Sequence, residues 1–98
     1  MNGLSEKTIS QLHRVFTCCK EIDQVLIYGS RAKGDFRPGS DIDLTFRGSN
    51  LTHNLMLEIG NQIDDLLLPY KVDLSLYATL SPDIKDHIQR VGQSFYQR

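Results

Sequence analysis

The sequence predicts an α/β (α+β) fold: a small mixed sheet of three to four strands flanked by helices, in the order α-β-β-α-β-α. Three observations carry this. Apolar residues recur at helical spacing in three segments, they alternate or run together in three shorter ones, and glycine or proline stands at the breaks. With 98 residues, 40% of them hydrophobic, the chain has material for one domain with one modest core over residues 1–98.

The first helix starts at Ser5, a capping residue type, and Ile9, Leu12, Val15, Phe16 and Cys19 form its apolar stripe. Gln24 to Tyr28 is a short run of branched and aromatic residues that stops at Gly29-Ser30, the mark of a buried strand. Arg31 to Ser40 holds Gly34, Pro38 and Gly39 among charged residues and reads as a loop with room for one helical turn. From Asp41 to Phe46 the pattern alternates strictly, so Asp41, Asp43 and Thr45 share one face of a second strand while Ile42, Leu44 and Phe46 share the other.

Leu51, Leu55, Ile59, Ile63, Leu66 and Leu67 space out a long second helix, capped by Asn50 or Thr52 and ended by Pro69. Lys71 to Tyr77 alternates again, with Val72, Leu74 and Leu76 on one side and Asp73 and Ser75 on the other. Ser81-Pro82 opens the last helix, whose stripe is Ile84, Ile88 and Val91.

Charge and composition exclude several function classes. Twelve acidic residues against eleven basic ones leave a net charge of -1, so no broad basic field holds nucleic acid. Cys18 and Cys19 are neighbours, which disfavours a mutual disulfide, and no second pair stands at zinc-ligand spacing; they are expected to be core or half-buried thiols on a helix. Without a signal-like or membrane-spanning apolar run, the expectation is a soluble cytoplasmic protein. His13, His53 and His87 are scattered, and Tyr28 and Tyr77 are expected to pack at strand ends.

The chemistry lies in the aspartates. Asp41 and Asp43 point the same way from one strand, close enough to share or flank a divalent ion. An isolated Asp-X-Asp strand is more often a solvated edge, but Asp73 occupies the corresponding face of another strand, and all three carboxylates converge if those strands are neighbours. Hard oxygen ligands of this kind suit magnesium or manganese. Gly29-Ser30, about a dozen residues upstream, ends a buried strand in a turn suited to phosphate oxygens. The spacing from Gly29 to Gly34 fits a Walker loop, yet Asp35 and Phe36 stand where that motif requires Lys and Ser or Thr. Arg31 and Lys33 are candidates for neutralising phosphate charge, as is Lys71 beside Asp73.

Taken together, Gly29-Ser-Arg-Ala-Lys-Gly34, Ser40-Asp-Ile-Asp-Leu44 and Val72-Asp-Leu74 resemble the nucleotidyltransferase superfamily that includes DNA polymerase beta. The pattern is most similar to its minimal prokaryotic members, the MNT-type antitoxins paired with HEPN-domain toxins, and it extends over essentially the whole chain. The resemblance implies a nucleotidyltransferase-like fold in which Gly29 and Ser30, with Arg31, Lys33 and Ser40, bind the nucleotide. It implies that Asp41, Asp43 and Asp73 ligate two magnesium ions, Asp73 also receiving the acceptor's proton. The implied reaction moves AMP from ATP to a hydroxyl, in its sharpest form a tyrosine on a partner HEPN toxin. The competing expectation is a non-catalytic antitoxin that neutralises its partner by covering it.

Overall fold

Ser5, Thr52 and Ser81 each stand in extended backbone, and each accepts an N–H from three residues on: Thr8 at 3.2 Å, Leu55 at 3.2 Å and Ile84 at 3.4 Å. They start α1 (Glu6–Thr17), α3 (His53–Asp64) and α4 (Pro82–Val91). The computed structural model describes residues 3–98. Between these helices run β1 (Gln24–Tyr28), a four-residue helix α2 (Ser30–Lys33), β2 (Ile42–Arg47) and β3 (Val72–Leu76), then a 3-10 turn (Tyr77–Thr79) and a closing strand β4 (Gln93–Gln97).

The strands form one mixed sheet in the order β3-β2-β1-β4. β1 is antiparallel to β2 and to β4, whereas β2 and β3 run parallel. Val25, Ile27, Ile42, Leu44 and Phe46 are buried on one face with Leu12, Phe16, Ile59 and Ile63 of α1 and α3. Phe16 meets Phe46 edge to face at 5.3 Å between ring centroids, pinning α1 to the centre of the sheet. Among the described residues no helix is long and apolar enough to cross a membrane.

Three elements depart from the sequence expectation. β4 is a fourth strand beyond the expected order; of its five residues only Phe95 is buried, because it lies at the sheet's edge. The second helix ends at Asp64 and not at Leu67: Leu66 and Leu67 tighten into bonds to the Ile63 and Asp64 carbonyls, and Leu67 turns to a φ of 54° ahead of Pro69. The adjacent thiols fall past the end of α1, where Cys18 is exposed and Cys19 half-buried.

Candidate active site

Gly29 is the hinge between β1 and the site. Its φ of 74° and ψ of -153° fall in a region that essentially only glycine occupies. From there the chain turns at once into α2, where the Lys33 and Gly34 N–H groups bond back to the Gly29 and Ser30 carbonyls at 3.1 and 3.0 Å. The first amides of any helix lack partners within it, so this turn presents backbone donors beside the Ser30 hydroxyl. A Cβ on Gly29 would stand 2.5 Å from Oδ2 of Asp43. The missing side chain is what lets the turn lie directly against that carboxylate.

Asp43 pairs in register with Tyr28 on one side and Asp73 on the other, which places these side chains on one face of the sheet. Partial burial pushes the Asp43 carboxyl above its ordinary range; the charges of Asp73 and Asp41 and a hydrogen bond with Asp73 push the same way, and Lys71 opposes them. Asp41 lies exposed just before β2 and acts on Asp43 through charge. Lys71 stands 3.9 Å from Asp73, a solvent-exposed pair of little energetic weight. Among the described residues no group of three or more His, Cys, Asp or Glu side chains is placed to hold a metal ion, so although β2 and β3 are neighbours the expected convergence of Asp41, Asp43 and Asp73 is not formed here. Asp43 and Asp73 nonetheless stand together as hard-oxygen donors beside the Gly29 turn, and donors of this chemistry fit Mg2+ or Mn2+.

The charged loop behaves differently from its sequence reading. Arg31, a candidate phosphate ligand, is 2% exposed. Its Nε and Nη2 donate to the Ser40 carbonyl at 3.1 and 2.9 Å, and its guanidinium carbon lies 5.2 Å from the Phe36 ring and 4.8 Å from the Tyr70 ring. Held in this way, Arg31 anchors the loop that leads into Asp41. Ser40 shares that task, its hydroxyl accepting the Arg37 N–H at 2.8 Å. Lys33 remains exposed, 3.7 Å from Asp35, and Ser30 is half-buried. The signals for Arg31's role were the aromatic residues Phe36 and Tyr70, which only the fold brings together.

Tyr28 does more than close a strand: its ring lies edge-on to His87 of α4, centroids 6.3 Å apart, so α4 packs against β1 beside Asp43's strand partner. Thr45, expected on an open acidic face, is fully buried there and donates to the Ser75 carbonyl at 3.3 Å. The face is thus closed at Thr45, while Asp43 is half-buried and Asp73 beside it exposed.

A polymerase beta nucleotidyltransferase family model matches residues 10–98. The chain belongs to that family. No curated protein matches this nucleotidyltransferase-family chain by sequence. Among solved structures, a toxin-antitoxin with AMP-PNP superposes with a TM-score of 0.73 at 21% identity, over 97% of this chain and 75% of the other. The MntA-HepT toxin-antitoxin gives 0.71 at 14% identity over 96% and 74%. A tri-AMPylated Shewanella oneidensis HEPN toxin in complex with MNT antitoxin gives 0.66 at 19% identity over 100% and 74%. At these identities the likeness establishes the nucleotidyltransferase fold.

Proposed function

We propose that this chain is a magnesium-dependent adenylyltransferase that moves AMP from ATP onto a tyrosine hydroxyl of a HEPN-domain toxin, acting in the cytoplasm as that toxin's antitoxin. The observation that carries the reading is the contact of the Gly29 turn with the Asp43 carboxylate, which makes a phosphate turn and a metal-type aspartate one site. The family supports nucleotidyl transfer. Similar structures with AMP-PNP and with an AMPylated HEPN toxin support ATP and the acceptor.

Gly29 and Ser30 hold the triphosphate tail, and Lys33, exposed one turn on, meets its charge. Asp43 and Asp73, with the exposed Asp41 joining them, would hold the Mg2+ ions. When bound, the ions neutralise charge at the α-phosphate and on the entering and leaving oxygens. The acceptor oxygen bonds to the α-phosphorus, the bond from that phosphorus to pyrophosphate breaks, and the hydroxyl proton passes to Asp73. Arg31 and Ser40 act as positioning residues for Asp41. Residues 1–98 form a single minimal catalytic domain, with acceptor recognition supplied in part by the partner.

The test is incubation with magnesium, a HEPN-domain toxin from the same genome, and ATP labelled at either the α- or the γ-phosphate. Label from the α position alone is expected on the toxin. Transfer of γ label would replace this reading with phosphoryl transfer, and transfer of neither would remove the transferase reading.

A further inference from the structure

The edge of the sheet beside Asp73 carries a surface that the reaction itself does not use. β3 is the last strand on its side, bonded only to β2. Along it runs a groove of about 630 Å³ between β3 and α3, floored by Met56, Leu57, Gly60, Leu74 and Leu76 and reaching Asp73. A second hollow of about 430 Å³ shares Ile63, Asp64 and Val72 with the first and extends it to Leu67.

Two leucines on this surface are poorly explained by folding. Leu57 is 56% exposed and Leu67 is 87% exposed. Leu67 also holds a left-handed φ of 54°, an unfavourable conformation for a leucine that gains little by burial. Strain and exposed apolar area at one place mark a contact surface.

We infer that this groove is the docking site for the stretch of the acceptor protein that flanks its modified hydroxyl, an apolar segment. Continuity with the site selects this occupant: Asp73 lines the groove, so a segment seated along β3 passes beside that carboxylate. The rim is of mixed charge, Asp64 and Asp73 with Lys71 3.9 Å from Asp73, so it is the apolar floor that the segment must match. The inference rests on the reading of the chain as a transferase with a protein acceptor.

Leu67→Asn and Gly60→Phe test it. Asparagine tolerates the left-handed conformation, and the Gly60 position is open enough that a Cβ meets only Leu74 Cδ1, at 3.6 Å, while a ring there would fill the groove. Both full-length variants are compared with the parent for melting temperature, for its shift with magnesium and ATP, and for affinity toward the same HEPN-domain toxin. The expected result is an unchanged nucleotide shift, an unchanged or higher melting temperature for Leu67→Asn, and at least about tenfold weaker toxin binding in each. Toxin binding equal to the parent's would overturn the inference, as would loss of the nucleotide shift, which would make the groove part of the nucleotide site. A parent that sediments as a dimer and variants that sediment as monomers would show that a second copy is the occupant, which also overturns it. Weakened toxin binding in the variants, with a parent that binds the toxin but never modifies it, would uphold the docking surface and remove the transferase reading alone.

Discussion

Two guanidinium nitrogens of Arg31 converge on one backbone oxygen, the carbonyl of Ser40, immediately before Asp41. Two donors of this buried cation are thus spent on holding the loop that presents an aspartate.

Arg31→Ala removes both charge-assisted bonds and the packing between Phe36 and Tyr70, and it is expected to destabilise the fold by roughly 2–4 kcal/mol. Arg31→Lys keeps the charge but not the planar fork, so it should fold while losing much of its transfer rate through a misplaced Asp41. Denaturant melts alongside initial rates check this. A lysine variant with parental rate would exclude the positioning role.

Gly29→Ala is expected to abolish transfer, since its Cβ would fall 2.5 Å from Asp43 Oδ2, and the backbone strain adds about 1–3 kcal/mol. Gly34 supplies the comparison: its φ is 88°, yet a Cβ there meets nothing within 4 Å. Gly34→Asn should retain activity at a small stability cost. Equal rates for the two variants would dissolve the link between the turn and the carboxylate.

Asp43 gives a pH dependence whose sign follows from its raised carboxyl. The folded state holds this proton more tightly than the unfolded state, so the ionised group destabilises the fold progressively as pH rises from about 4 through the folded value. Without metal, Asp43→Asn should melt higher than the parent at neutral pH, and the difference should shrink toward pH 4. Magnesium should raise the parent's melting temperature more than the variant's. Calorimetry across pH with and without magnesium reads both effects; an apo variant that melts lower at neutral pH contradicts the repulsion among these carboxylates.

Much of this architecture was legible because it obeys short-range rules. The stripe from Ile9 to Phe16 and the serine and threonine caps depend on neighbours three or four residues away, and they appear as expected. Alternation from Asp41 to Phe46 and in β3 assigned the faces, yet only the parallel pairing of β2 with β3 brings Asp43 opposite Asp73. Arg31 escaped the reading because a four-residue helix has no periodicity to show which way a side chain turns. β4 escaped because an edge strand that buries only Phe95 carries almost no apolar pattern.

The most direct measurement of the central claim is intact mass of both chains after the parent or Asp43→Asn is incubated with ATP, magnesium and the proposed HEPN-domain acceptor. The account predicts an adenylyl addition on the toxin with the parent and none with the variant. An unmodified toxin in a tight complex with the parent would contradict it, leaving an antitoxin that works by covering its partner.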